Sequence, residues 1–313
     1  MPIVADFVIQ PAKHVLPAYR ISPFTTKDIA FNRNLPRSAT IDDYFRERFK
    51  GKRFIYCESG RHAIGLALEY LKADAKDLVA ILTTSNNYYV SGCITREIEK
   101  SSGWTRRIDG ATKLIFVNHE FGFAYEELSK LKEHRLPIIE DACLSFASDN
   151  AEGTLSRVGE LTVFSFPKFF PIQAGGLLVC DENVDINETV PLEAKRYMQK
   201  VLSFHIKHLD STKQKRRQIF DYFTLQFEKL GFSPRFQLTK HSIPGVFMFK
   251  TDGKVDLPAM KMFLSNQGIE CSVFYGEDAF FLPLNERMEK EDVDYFFEAV
   301  RFFVERISNQ SEC

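Results

Sequence analysis

No two cysteines in this chain are spaced C-x-x-C; Cys57, Cys93, Cys143, Cys180, Cys271 and Cys313 lie scattered along 313 residues. That scatter argues against a cysteine zinc site or a disulfide framework and fits a reducing compartment. His205 and His208 stand three apart with no further ligands beside them, so no metal site is expected. There is no excess of either charge: 41 basic and 42 acidic residues leave a net charge of -1, whereas a nucleic-acid-binding protein usually shows a clear basic surplus. A P-loop signature and a G-x-G-x-x-G run are both absent, which disfavours nucleotide hydrolysis and classical NAD binding. No apolar stretch approaches the length of a membrane span. The opening MPIVADFVIQPAK lacks the basic start and long apolar core of a signal peptide. The expectation is a cytoplasmic protein that binds neither nucleic acid nor membrane. Tryptophan occurs once, and no internal repeat is present. Phenylalanine, by contrast, occurs 30 times, which predicts thick aromatic packing without naming any chemistry.

Five prolines within residues 1–45 break any long element there, and this stretch reads as an arm. Strands and helices then alternate. Strands are expected at Arg53–Cys57, Leu78–Thr83, Lys113–Asn118, Pro137–Glu140, Leu161–Phe166 and Gly176–Cys180. Helices are expected at Arg61–Leu71, Tyr89–Lys100 and Tyr125–Glu133. Apolar strands alternating with helices imply an α/β sheet, mainly parallel and covered on both faces. Beyond residue 190 the texture changes: Leu192–Leu230 is helical and charged, with a break near Asp210–Thr212. A strand at Gly245–Phe249, a helix at Leu257–Gln267, a strand at Ile269–Phe274 and a last helix with Val293, Phe296, Phe297 and Val300 on one stripe follow. The expected organisation is a large α/β domain over residues 1–190 and a small α+β domain over 191–313.

Three segments sit at predicted strand ends, where ligands bind in open α/β sheets. Glu58-Ser59-Gly60-Arg61-His62-Ala63 is a small-residue turn opening a helix; its backbone N–H groups suit a phosphate, although Ser59 could simply cap the helix. Ile138-Ile139-Glu140-Asp141-Ala142 ends an apolar strand in an acidic pair, which suits a ring nitrogen that must stay protonated or a mere turn cap. Ser165-Phe166-Pro167-Lys168, followed by Gly175-Gly176, places a lysine among phenylalanines, where desolvation favours a neutral, nucleophilic amine. A snorkelling surface lysine is the plainer reading of that segment alone.

In combination, SGRHA at Ser59–Ala63, EDAC at Glu140–Cys143, SFPK at Ser165–Lys168 and GGLLV at Gly175–Val179 resemble the DegT/DnrJ/StrS-type sugar aminotransferases. VNHEFGF at Val117–Phe123 and GIECSVFYG at Gly268–Gly276 extend the resemblance over roughly residues 45–300. It implies the fold of aspartate aminotransferase (pyridoxal 5'-phosphate, PLP, fold type I) and a homodimer with its active site at the subunit interface. Lys168 would condense with the cofactor aldehyde and act as general base. Asp141 would bind the pyridine nitrogen, and Ala142 would lie near the ring. Backbone N–H groups of Gly60 and Arg61 and the Ser165 hydroxyl would hold the phosphate. An aromatic from Asn86–Tyr89, Tyr88 by preference, would stack on the ring. Glutamate would supply the amino group and a nucleotide-linked keto-deoxysugar would accept it, feeding polysaccharide or glycoconjugate synthesis.

The chain departs from that pattern in three places. Ser165 and Lys168 are only three apart, Arg61 and His62 replace small residues, and Leu144 stands where many relatives carry Gln or His near the ring oxygen. A water or Ser145 is the expected substitute there. These departures keep two alternatives open: a different keto acceptor, or a non-catalytic PLP- or sugar-nucleotide-binding scaffold of the same fold. The basic cluster Lys213, Lys215, Arg216 and Arg217 is expected to be a solvated helix face.

Overall fold

The structure, a computed structural model, describes residues 17–310. Among the described residues, seven strands form one sheet: β1 (Lys52–Cys57), β2 (Leu78–Thr83), β3 (Gly103–Thr105), β4 (Thr112–Asn118), β5 (Ile138–Asp141), β6 (Leu161–Ser165) and β7 (Gly176–Asp181). They lie in the order β1-β7-β6-β5-β4-β2-β3. The run from β6 to β3 is parallel, and β7 is antiparallel to both of its neighbours. β5 is buried along its whole length and β6 as far as Phe164, the signature of a sheet covered on both faces. On one face, Ile64, Ala67 and Leu68 of α3 (Gly60–Tyr70) and Ile94 and Ile98 of α4 (Gly92–Ile98) meet Ile81, Ile139 and Val163. On the other, α2 (Thr40–Arg48) and α5 (Leu192–His205) join a core of Phe45, Phe146, Phe164, Phe166, Phe169 and Phe170. The mostly parallel sheet and its two helical layers are the expected α/β architecture.

By compactness the chain forms two units. The unit containing this sheet runs over residues 22–217 and takes back 238–245. It continues past residue 190 because α5 packs on α2, with Ser203 Oγ accepting from Ile41 N at 3.0 Å and Gln199 donating to Asp42 at 2.8 Å. The helix α6 (Leu209–Phe227) begins in this unit and ends in the other. That second unit carries a four-stranded antiparallel sheet in the order β10 (Ser272–Val273), β11 (Ala279–Pro283), β9 (Val246–Lys250), β8 (Ser233–Pro234), with α7 (Leu257–Asn266) and α8 (Lys290–Gln310). Its core is aromatic too: the Phe223 and Phe247 rings stack with centroids 4.7 Å apart.

Several expected elements differ. Residues 27–48, read as part of an arm, contain α1 (Lys27–Asn34) and α2, short enough to fit between Pro23 and Pro36 and beyond. Tyr125–Glu133 forms no α-helix; a 3-10 stretch at Leu128–His134 ends at Arg135 in the left-handed region. Ile269–Phe274 pairs as a strand only at Ser272–Val273, and β11 follows it instead. The basic cluster is not wholly solvated: Arg216 is buried against the Phe169 ring at 4.5 Å, and Arg217 donates to the carbonyls of Thr239 at 2.6 Å and Ser242 at 2.8 Å.

Candidate functional site

Strand register brings the three chemistry-bearing segments to one edge. Cys57, the last residue of β1, pairs with Gly176; Gly176 pairs with Ser165 at the end of β6; Val163 pairs with Asp141 at the end of β5; Asp141 pairs with Asn118, and Asn118 with Thr83. The turn after β1, the carboxylate after β5, the lysine turn after β6 and the loop after β2 therefore leave the sheet side by side.

The turn opens α3. Ser59 caps the helix by accepting from His62 N at 3.1 Å, so its capping role is real. That role leaves the N–H groups of Gly60 and Arg61, the first helical residues, without intrahelical acceptors, and they add to the positive end of the helix dipole. Packing accounts for the glycines. A Cβ on Gly60 would lie 2.8 Å from Cys143 Sγ and 2.9 Å from Ser165 Cβ; one on Gly176 would lie 2.7 Å from the Phe164 carbonyl and 2.7 Å from the Ser59 carbonyl carbon. The Gly-Gly pair thus lets the return strand pass directly under the turn, and Gly60 lets Cys143 and Ser165 close in on it.

Asp141 is buried, with Oδ1 accepting from Cys143 N at 2.9 Å. Burial raises its carboxyl above the ordinary carboxylate range; Cys143, His119 and Lys168 pull in the opposite direction without prevailing. The Lys168 amine is thus within electrostatic reach of the Asp141 carboxylate. Lys168 ends a 3-10 turn, Phe166–Lys168, pinned by Phe166, Phe169 and Phe170, all buried, while Lys168 and Ser165 remain half-buried. Asn32 of α1 holds the next loop by donating to the Pro171 carbonyl at 2.8 Å. Ala142 is fully buried, its N–H donated to the Val163 carbonyl at 2.9 Å. Tyr88 lies on the loop after β2 and is 72% exposed.

Other residues near the site are given no role by the motifs, although His119 and Glu140 lie within two of them. His119 and Glu140 are buried together, His119 Nε2 3.3 Å from Glu140 Oε2. His119 Nδ1 accepts from Tyr125 N at 3.0 Å, so the ring proton sits on Nε2 and is donated to Glu140. Glu140 also accepts from the backbone N–H groups of Ser156, Val158 and Gly159 at 2.7, 3.2 and 2.6 Å. This anchors the strand that ends in Asp141, and His119 N donates to the Asp141 carbonyl at 3.0 Å. Cys93 Sγ accepts from Arg61 Nη2 at 3.2 Å. Packing around the Cys93 thiol opposes ionisation, but Arg61, Ser91 and Lys168 together bring it below the ordinary thiol range. Ser145 cannot act as the substitute for a polar residue at 144: it is fully buried and its hydroxyl is donated to the His119 carbonyl at 3.2 Å.

One edge thus gathers a helix N-terminus beside a serine, a buried carboxylate and a lysine amine. This donor set fits a phosphorylated aldehyde with a protonatable ring nitrogen: anion at the helix, cation at Asp141, carbonyl carbon at Lys168. Among the described residues no group of three or more His, Cys, Asp or Glu could hold a metal, and no helix is long and apolar enough to cross a membrane.

Residues 41–230 match the family described as "Putative PLP-dependent aminotransferase". No curated protein matches. Among solved structures, the aminotransferase TlmJ from Streptoalloteichus hindustanus superposes with a TM-score of 0.73 at 16% identity, covering 93% of this chain and 100% of that one. PseC of Helicobacter pylori, an aminotransferase involved in the biosynthesis of pseudoaminic acid, gives 0.70 at 16% identity, covering 92% and 99%. A DegT DnrJ EryC1 StrS aminotransferase from Brucella abortus gives 0.66 at 14% identity, covering 89% and 93%. At these identities the likeness is one of fold, the PLP fold type I.

Proposed function

This chain belongs to the PLP-dependent aminotransferase family that it matches over residues 41–230, and from that premise we propose that it moves an amino group from glutamate to a keto group of a nucleotide-linked sugar. The observation that carries the reading is that the segments of Gly60, Ser165 with Lys168, and Asp141 leave neighbouring strands at one sheet edge, with Cys143 and Ser165 closing on Gly60 and the Asp141 carboxylate buried. The part that the fold relative PseC plays in pseudoaminic acid biosynthesis supports the acceptor class.

When bound, PLP supplies an electron sink for a carbanion at the amino-bearing carbon. The chain's own residues do the rest. The N–H groups of Gly60 and Arg61, with the Ser165 hydroxyl, bind the phosphate and fix the cofactor's orientation. Asp141 holds a proton on the ring nitrogen; its buried carboxylate gains more from a cationic partner than an exposed one would. Lys168 Nζ would take the proton from the amino-bearing carbon of the substrate and return it, as general base and then acid. Ala142 would offer an apolar contact to the ring, and Tyr88 would stack on it. Two chains are proposed to pair as a homodimer around the site, in the cytoplasm. All the proposed site residues lie in the unit of residues 22–217 and 238–245, which would serve as the cofactor domain in place of the expected 1–190.

The test is reconstitution with PLP. A visible absorption band should appear in the wild type and vanish in Lys168→Ala, and a panel of keto-sugar nucleotides with glutamate should release 2-oxoglutarate with one of them. A protein that takes up no PLP sinks the proposal. Leu144, with Ser145 committed to His119, favours one second reading: a site that binds the cofactor without turning it over. A coloured protein inactive with every acceptor would support that reading.

A further inference from the structure

A second cluster at the same sheet edge has no role in the chemistry described above. Arg106 follows β3 and is half-buried. Its Nη1 donates to the Ile81 carbonyl, and its Nη2 donates to Thr83 Oγ1 at 3.1 Å and to the Asn87 carbonyl. One planar cation therefore gathers acceptors from the end of β2 and from the loop beyond it. The Thr83 hydroxyl also donates to the Asn87 carbonyl at 3.3 Å. On the other flank stands Glu120, 2% exposed, whose Oε2 accepts from Ser85 N at 2.7 Å. Glu120 N donates to Thr84 Oγ1 at 3.0 Å, and the Thr84 hydroxyl donates to the Phe123 carbonyl at 2.7 Å. Within the loop, Asn86 takes a left-handed φ of 57° and Asn87 Oδ1 accepts from Tyr89 N at 2.9 Å.

Ser85, Asn87 and Tyr89 are thus tied down, whereas Tyr88 projects with 72% of its surface exposed. The Glu120 carboxylate and the Tyr88 phenol both lie within electrostatic reach of Arg106. Burying a guanidinium and a carboxylate costs solvation that surface residues would not lose. What the pair returns is order in a loop with no ladder of its own, and order before binding is free energy that need not be spent on binding.

We propose that Arg106 and Glu120 form a positioning pair that holds the Thr83–Tyr89 loop in the shape needed to lay an aromatic ring on the cofactor. Neither residue touches the reacting atoms. The inference rests on the cofactor reading above.

The experiment uses the full chain reconstituted with PLP. Arg106→Gln, Arg106→Lys and Glu120→Gln are compared with wild type for cofactor dissociation constant, induced circular dichroism of the visible band, and amide hydrogen exchange over residues 83–89. In Arg106→Gln the dissociation constant should rise by about tenfold or more, the induced dichroism should weaken, and the amides of Ser85, Asn87 and Tyr89 should exchange faster. Lysine keeps the charge but not the fork, so Arg106→Lys should recover only part of the affinity. Glu120→Gln should shift the same readouts in the same direction, and it decides the matter if Arg106→Gln does not fold. Wild-type affinity and dichroism in these variants, even with a lowered unfolding temperature, overturn the inference and leave the cofactor reading intact. A wild-type protein that binds no PLP overturns both.

Discussion

Asp141 is an acid whose surroundings oppose its charge. Burial holds its carboxyl above the ordinary range despite Cys143, His119 and Lys168. Folded, it therefore keeps its proton to higher pH than it does unfolded. Its contribution to the cofactor-free protein turns unfavourable as pH rises from the unfolded carboxylate range through the folded value. Asp141→Asn removes that penalty. At pH 7 the cofactor-free variant should be more stable than wild type, while its affinity for PLP drops; a calorimetric scan with and without PLP checks both signs. Lys168→Ala should lower turnover by about two to four orders of magnitude, with the fold unchanged by circular dichroism. Cys93 offers a third test. It is the exposed one among the cysteines of residues 17–310, and Arg61 favours its thiolate. At pH 7 it should be alkylated before Cys57, Cys143, Cys180 and Cys271. Mass mapping should show Arg61→Ala slowing that reaction and bound PLP slowing it further.

At the scale of elements, the site depends on how closely backbones approach. Gly122 has φ +97°, and a Cβ there would lie 2.1 Å from the Ile243 carbonyl oxygen, part of the segment 238–245 that returns to the large unit. Gly245 N donates to the Phe121 carbonyl at 2.8 Å, and Ser148 Oγ donates to the Gly122 carbonyl at 2.7 Å. Gly122→Ala meets both a forbidden φ and a main-chain clash, and should cost at least about 3 kcal/mol by urea unfolding. The β7 glycines act differently. Gly176 lies against the Ser59–Gly60 turn, so Gly176→Ala would push on the turn proposed to hold the phosphate. Ser59, by comparison, supplies an N-cap, and its loss to alanine is a change of about 1 kcal/mol.

For the whole molecule, the cofactor should be a stabiliser, since it binds groups assembled only by folding. At a hundredfold excess over its dissociation constant it adds about 2.7 kcal/mol, a rise in unfolding temperature of about 5 °C for a chain this long. The rise should be small in Asp141→Asn and partial in Arg106→Lys. The aromatic content fits this organisation: the phenylalanines build a separate core in each unit, around Phe146 and Phe164 in one and Phe223 and Phe247 in the other. The Arg48 guanidinium is 4.7 Å from the Phe146 ring centroid, a contact that repeats the use of Arg216 over Phe169.

By itself the sequence determined six of the seven strands of the large sheet, each end to within a residue, and missed only the short β3. Apolar runs such as Leu78–Thr83 and Leu161–Ser165 cannot lie in water, and the turn residues beside them mark where each stops. It determined the motif residues as well, because Ser59-Gly60, Glu140-Asp141 and Ser165…Lys168 are each contiguous. The register that sets those motifs side by side was decided only in the folded chain: β1 joins β7 across more than a hundred residues, and no local spacing encodes that pairing. The same holds for Arg106 and Glu120, which β3 and the turn after β4 bring to one loop. Short-range physics, propensity and periodicity can be read along the chain. Hydrogen bonds between distant segments exist only once packing has chosen which groups lose water together.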